Sequence, residues 1–265
     1  MLYSDLHMHS ACSPDAEEPV SALCESAVKK GLSCLAVTDH CEIDAFYEEH
    51  YDMRAAQSYD AYREAAPQYR GRLELLMGIE LGQATADPEL ARRVVEARPY
   101  DVVLGSMHAL PGRPDFAFFQ AGSEAPALFS EYLAQLRLLA RQGGFDVLTH
   151  LTYPLRYING EQGQHLKTED YREGIEAVLR EIIARGIALE VNTSGLRQKY
   201  GLTFPDPFCL GLYRSLGGTL LTFGSDAHAS CDVGAGIEQG AELARAAGFT
   251  RHCVFRRRKP FFYNL

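Results

Sequence analysis

Short apolar runs alternate with amphipathic stretches along most of the chain. The runs at residues 2–6, 34–38, 73–79, 102–106, 145–149, 187–191 and 219–223 have the length and near-continuous hydrophobicity of strands buried on both faces. Between them, residues 20–30, 88–97, 127–141, 171–185 and 207–216 place apolar side chains at helical spacing. Local punctuation supports the helices. Thr168-Glu169-Asp170 and Asp206-Pro207 read as helix starts, the second an N-cap followed by proline at the first helical position. Gly31, Gly186, Gly217 and Gly248 fall where helices should stop, since glycine accepts the left-handed turn that ends a helix.

Seven strands alternating with helices predict an α/β protein with a parallel sheet covered by helices, either open and doubly wound or closed into a barrel. No low-complexity segment, Pro/Gly-rich linker or shift of composition divides the chain, so residues 1–265 are expected to form a single domain.

The polar residues that end these runs are not of arbitrary type. The first strand leads into His7 and His9, whose i, i+2 spacing turns both imidazoles to one side of an extended chain. The others end in Thr38-Asp39-His40, Gly78-Ile79-Glu80, Ser106-Met107-His108, Leu148-Thr149-His150 and Gly224-Ser225-Asp226-Ala227-His228. Only the sixth, in "ALEVNTSGLR", breaks the pattern with a polar turn and Arg197. In parallel sheets functional groups gather at the carboxyl ends of the strands, and convergence from so many ends favours a barrel, where they share one mouth. Mixed imidazole and carboxylate groups suit Zn²⁺, Mn²⁺ or Fe²⁺, and there are more of them than one tetrahedral ion needs. More than one ion is therefore expected, with a carboxylate bridging. Adjacent ions suit displacement at phosphorus, where they activate water and clamp the oxygens of the transferring group.

Composition narrows the classes. The chain is 46% hydrophobic and 23% charged, an ordinary globular balance, and no apolar stretch approaches the roughly 20 residues that span a bilayer. No basic segment followed by a long apolar one opens it, so no secretory signal is expected. Its seven cysteines, odd in number and without a C-x-x-C pair, suit reduced thiols in a cytoplasmic protein. A net charge of −9 argues against a nucleic-acid partner but not against an anionic substrate, because bound cations reverse the local field.

The motifs "DLHMHS", "AVTDH", "GIE", "GSMH", "LTH" and "FGSDAH", in this order over nearly the whole chain, resemble the polymerase and histidinol phosphatase (PHP) superfamily. "LEVNTSGLR", "HLTYPLRY" and "RRRKPFFY" are similar to its histidinol-phosphate phosphatase branch. The resemblance implies a distorted seven-stranded TIM-like (β/α)7 barrel of the PHP fold with two to three divalent ions, zinc, manganese or iron. It implies that His7, His9, Glu80 and Asp226 hold one ion. Glu80 would bridge to a second with His108 and His150, and Asp15, His40 and His228 would hold a third. Many relatives carry histidine at the Asp15 position, so the third site departs from the family pattern. The implied activity is hydrolysis of L-histidinol phosphate, a small phosphorylated substrate, to L-histidinol and phosphate in histidine biosynthesis.

Arg156 and Arg197, just beyond strand ends, are the candidates to bind the phosphate, because a guanidinium fork matches phosphate oxygens bidentately. Glu80, Asp226 and His228 are the candidates for catalytic roles, the last two as groups that manage protons. Asp39 is expected either to orient the imidazole of His40 or to cap a turn, and Glu42 and Asp44 either to meet the substrate's amine or to be solvated loop acids. The loop 151–167, with His165, has the length of a lid. Cys12 and Cys231 are expected to be small buried thiols, and His50 and His252 structural or exposed. The run Arg256-Arg257-Arg258-Lys259 reads as a solvated terminal strand or tail. Two alternatives stand beside the phosphomonoesterase: a phosphodiesterase or nucleotidase on the same site, and a non-catalytic metal-binding module.

Overall fold

The computed structural model describes residues 4–265. Along the chain lie β1 (Ser4–Asp5), α1 (Val20–Lys29), β2 (Cys34–Val37), β3 (His40–Glu42), α2 (Tyr51–Tyr69), β4 (Glu74–Gly82) and α3 (Pro88–Glu96). There follow β5 (Val102–Ser106), α4 (Ala125–Gln142), β6 (Val147–Leu148), α5 (Arg172–Arg185), β7 (Ala188–Asn192), α6 (Pro207–Ser215), β8 (Leu221–Gly224), α7 (Ile237–Ala246), β9 (Arg251–Arg256) and β10 (Lys259–Asn264). The parallel order β1-β2-β4-β5-β6-β7-β8 is a seven-stranded barrel wall, and β3 pairs with the end of β4 beyond β2.

The wall nearly closes on itself. Beyond β1 the chain stays extended beside β8: the Leu6 amide donates to the carbonyl of Phe223 (2.9 Å), Met8 bridges to Ala227, and the His9 amide donates to the carbonyl of Ala227 (2.8 Å). The alternative of an open sheet is thereby set aside. The first apolar run is seen only from residue 4, since its earlier part lies outside the described residues.

Alternation along the strands sorts side chains between two environments. Met77, Ile79 and Leu81 of β4 face the helical shell, while Leu76 packs inside the barrel with Cys34, Ala36, Val102, Leu104, Val147 and Ala188. Cys253, Val254 and Phe255 of β9 join that interior cluster, so the β9–β10 hairpin plugs the barrel at the amino ends of its strands. Of the expected solvated terminal strand or tail, the basic run is the strand: it forms the turn of the terminal hairpin, with Arg257 and Lys259 exposed and Arg256 and Arg258 half-buried. Arg256 donates to both carboxylate oxygens of Glu74 (2.5 and 2.6 Å), and Arg258 donates to Asp146 (2.5 Å) and to the carbonyl of Gly144 (2.9 Å).

Helix starts behave as their capping chemistry requires. Asp206 accepts from the Cys209 amide (3.0 Å) with Pro207 at the first turn, and Asp87 accepts from Leu90 (2.9 Å) ahead of Pro88. Such caps are each worth about 1 kcal/mol. Thr168–Tyr171 forms a 3₁₀ turn that leads into α5, and Gly186 ends α5 in the left-handed conformation. α2 and α7 are not among the helices expected from the sequence, although their buried positions do fall at helical spacing. Those positions are Tyr51, Ala55, Ser58, Ala65 and Tyr69 in one and Ile237, Gly240, Ala241 and Ala244 in the other, stripes made mostly of small residues between a few large ones.

Candidate metal centre

The polar strand ends meet at one mouth of the barrel. His7 and His9 straddle Met8, which turns into the cluster packed by α1 and α2, and both imidazoles point inward. His7 Nε2 lies 3.4 Å from Glu80 Oε2 and 3.7 Å from Asp226 Oδ1; His9 Nε2 lies 3.3 Å from Asp226 Oδ1 and 3.6 Å from Glu80 Oε2. Across Glu80, its Oε1 is 2.9 Å from His150 Nε2 and 3.3 Å from His108 Nε2, and its Oε2 is 2.8 Å from His40 Nδ1. Asp15 Oδ2 reaches His228 Nε2 at 3.0 Å and His40 Nε2 at 3.6 Å. All nine sequence-derived ligand candidates thus converge, with Glu80 at the centre.

Donor atoms from this set fall into four groups compact enough to hold a cation: His7–His9–Asp226, His7–Glu80–His150, His40–Glu80–His108 and His9–His40–His228. His7 Nε2, His9 Nε2, His40 Nδ1 and Glu80 Oε2 are buried, and none makes a well-aligned hydrogen bond, although His40 Nδ1 and Glu80 Oε2 face each other at 2.8 Å. Buried polar atoms are nearly always satisfied, so four unsatisfied atoms facing one another mark a place built for something the polypeptide does not supply. Mixed imidazole nitrogen and carboxylate oxygen is the donor set of a divalent transition ion, and these residues fit one.

The cluster's protonation in the ion-free chain follows from its geometry. Burial disfavours charge on His7, but Glu190, Glu80 and Asp226 outweigh it and hold its pKa well above the usual value. Burial likewise opposes charge on His40, yet Glu80 and Asp15 push it up to about 10, and Glu42 and Glu80 raise His108. His9 goes the other way, lowered by burial and by neighbouring His40 and His228. Glu80 and Asp226 are held well below the carboxylate range in spite of burial, by the imidazoles around them.

Two further carboxylates orient the imidazoles. Glu190 of β7, the strand taken to lack a polar end, is buried and accepts from His7 Nδ1 (2.7 Å), from the His150 amide (2.9 Å) and from Asn192 Nδ2 (3.1 Å). Glu42 of β3 accepts from His108 Nδ1 (2.9 Å). Each bond puts the proton on Nδ1 and leaves Nε2 free for a cation, the usual outer-sphere arrangement of metal-binding histidines. Neighbouring glycines make room: a Cβ at Gly224 would overlap the Glu190 carboxylate, and one at Gly82 would overlap Glu42. Asp39 acts on His9 rather than on adjacent His40. It gathers Ser10, Ser13 and Ser58, and Ser13 Oγ lies 3.2 Å from His9 Nδ1. The available signal for Glu190 was its inward register on β7, two residues before Asn192.

A cavity of about 880 Å³ opens over the cluster. Its wall carries Arg113 and Arg156 beside Asp44, Glu49 and Asp115, and Tyr153, whose hydroxyl donates to Asp115 (3.0 Å), stacks edge-on against His108. Arg156 lines the cavity and sits over the Tyr157 ring at 5.2 Å. Arg197 does not line this cavity. Its guanidinium donates to the carbonyls of Ser225 (2.7 Å) and Asp226 (2.9 Å) and pairs with Asp232 (3.2 Å), so it braces the loop that carries Asp226. Arg113, on the loop after β5, is the second arginine at the mouth.

The long loop is largely structured. Residues Arg156–Glu161 form a π-helical turn, and the Asn159 side chain clasps the backbone of Leu166. His165 is exposed and outside the cavity. Cys12 is half-buried and Cys231 exposed, contrary to the expected burial, and neither belongs to a metal-binding group. His50 stands exposed at the start of α2 without a side-chain capping bond, and His252 is buried beside Phe223 and Tyr263.

Fold and site define a β/α-barrel protein whose histidines and carboxylates form a divalent-metal centre at the carboxyl ends of the strands. The chain belongs to the PHP domain family, which matches residues 5–194. It is 28% identical over 264 residues to a probable histidinol-phosphatase of Deinococcus radiodurans, covering 96% of this chain and 97% of that one. A histidinol-phosphatase of Lactococcus lactis is 22% identical, with 95% and 93% covered. Among solved structures, the Lactococcus lactis histidinol phosphate phosphatase, in complex with zinc, L-histidinol and phosphate, superposes with a TM-score of 0.76 at 21% identity, covering 97% of this chain and 98% of that one. A putative histidinol phosphatase from Listeria monocytogenes gives 0.78 at 18% identity, with 89% and 99% covered. Among the described residues no helix is long and apolar enough to cross a membrane.

Proposed function

We propose that this protein is a divalent-metal-dependent phosphomonoesterase that hydrolyses L-histidinol phosphate to L-histidinol and phosphate. The observation that carries the reading is the cluster of nine convergent side chains, with its unsatisfied imidazole and carboxylate atoms, at the floor of a cavity walled by Arg113 and Arg156. Relatives named histidinol-phosphatase, aligned over nearly the full length, supply the substrate. His7, His9, Glu80 and Asp226 would hold one ion, Glu80, His108 and His150 a second, and Asp15, His40 and His228 a third, with zinc, manganese and iron all suited to these donors. Bound divalent ions activate water and neutralise the charge that develops on the phosphoryl oxygens.

The chain's own groups do the rest. Arg156, and Arg113 beside it, bind the outer phosphate oxygens, while Asp44, Glu49 and Asp115 present negative charge to the cationic part of an amino-alcohol ester. Glu190 and Glu42 hold the His7 and His108 rings in one tautomer. Asp226 and His228, at the cavity wall, are the groups placed to move protons. A biosynthetic role of this kind puts the protein in the cytoplasm, where its thiols stay reduced.

The test compares purified, metal-replete protein on histidinol phosphate, a nucleoside monophosphate and an aryl phosphodiester. Histidinol phosphate is expected to have the highest kcat/KM, and efficient cleavage of another ester with histidinol phosphate untouched would overturn the substrate. Arg156→Ala is expected to raise KM for histidinol phosphate about tenfold through loss of a charge-assisted contact.

A further inference from the structure

At the opposite end of the barrel a second cavity, of about 650 Å³, lies between the last turns of α2 and the amino ends of β2 and β4. It is separate from the metal centre. Glu74, on its wall, stands six residues before Glu80 on β4, which is about 20 Å of extended chain. It is an open groove on the surface, with Arg63, Arg70 and Arg72 exposed along it.

Its composition runs against that of the whole molecule. On a chain of net charge −9, Arg63, Arg70 and Arg72 all line this one cavity, against a single lining carboxylate, Glu74. Glu74 is already spent, held by two hydrogen bonds to Arg256 of the hairpin. Arg72 pairs at 3.3 Å with Glu25. Among the described residues no carboxylate pairs with Arg63 or Arg70. The remaining wall is apolar and aromatic: Tyr62, Ala66 and Leu75 belong to the edge of the cluster packed between α1 and α2. The turn that presents Arg70 and Arg72 is pinned by Gly71 at φ +84° and by the Arg72 amide, which donates to the carbonyl of Tyr69 (2.9 Å).

We infer that this cavity binds a small organic anion, a phosphate or diphosphate group carried on a flat or apolar body, as in a nucleotide. Arg63 and Arg70 take the anionic group, since guanidinium forks match phosphate oxygens, and the ring lies against Tyr62, Ala66 and Leu75. No covalent step is involved, and the site does not depend on which ester the metal centre cleaves. Arg257 and Arg258 of the basic run do not line this cavity: their amides donate to the side chain and carbonyl of Asp101 (3.0 and 2.8 Å), and the Arg258 guanidinium is paired with Asp146.

Isothermal titration of the metal-loaded protein with α,β-methylene-ADP, whose terminal phosphonate a monoesterase does not release, tests the inference. One molecule is expected to bind per chain, and the Arg63→Glu/Arg70→Glu double variant should bind about tenfold or more weakly, with unchanged Tm and unchanged turnover of histidinol phosphate. Adenosine alone should bind at least about tenfold more weakly than the anion. Equal affinity in the double variant, or binding that vanishes on chelation and so belongs to the metal centre, would overturn it. An absence of binding at millimolar ligand would do the same.

Discussion

Glu190 shows how much one residue settles. Its carboxylate touches the Nδ1 of one ligand candidate and the backbone amide of another, and Asn192 Nδ2 connects it to Asp226 (3.3 Å). Replacing it by glutamine keeps its shape but weakens the acceptor that fixes the His7 tautomer. Glu190→Gln is expected to lower metal affinity about 10- to 100-fold, with activity largely restored at saturating metal, as chelator competition and metal titration of kcat would read. A kcat that stays low at saturating metal would mean Glu190 acts on the chemistry instead. Glu190 was hidden in the sequence because "ALEVN" reads as an apolar strand with one acid, and only the barrel's curvature brings that acid against His7. Arg197 is the converse. Its place after a strand end resembles Arg156's, but the 3₁₀ turn Ser194–Arg197 aims it at the Asp226 loop.

Among the elements, the β9–β10 hairpin has the role least expected from its composition. A stretch with three consecutive arginines holds three fully buried residues, Cys253, Val254 and Phe255, against the inner face of the barrel. Phe255→Ala is expected to cost about 3–5 kcal/mol by leaving a cavity in a packed interior, read as a lowered denaturation midpoint. Because the hairpin seals the end opposite the ligands, the surviving folded fraction should bind metal with unchanged stoichiometry. The principal strands and five of the helices were legible because burial on both faces, or on one stripe, writes a period into the sequence. β3, α2 and α7 were not, since β3 is only three residues long and the stripes of α2 and α7 are made largely of small residues, which mark a period weakly.

For the molecule as a whole, the cluster couples metal binding to pH. Without an ion, His40 has its pKa pushed up to about 10 from an unfolded value near 6.5. Folding takes up a proton there, and the stability gained is full below about pH 6.5 and lost as pH rises toward 10. Glu80 and Asp226, held low, contribute above about pH 4 and lose their contribution as pH falls through their depressed values. Ion-free protein should therefore lose thermal stability on the alkaline side, whereas an ion requires neutral imidazoles and gains affinity there. The Tm difference between manganese-loaded and chelator-treated protein is expected to widen from pH 6 to pH 8, as scanning fluorimetry would measure, and a gap that narrows would contradict this assignment of charge.

By itself the sequence determined the alternation of strands and helices and the chemistry at the strand ends. Both are written in local periods and residue types, which survive without any knowledge of neighbours. It therefore favoured the barrel class and carried eight of the nine convergent side chains, Asp15 entering only through the family resemblance. Tertiary structure alone decided which carboxylate orients which imidazole, which arginine faces the mouth, and that a basic strand plugs the far end. These depend on contacts between residues as distant in the chain as His7 and Glu190, or Glu74 and Arg256. No local pattern specifies such pairings, because they exist only once the sheet has curved far enough to bring its first and last strands together.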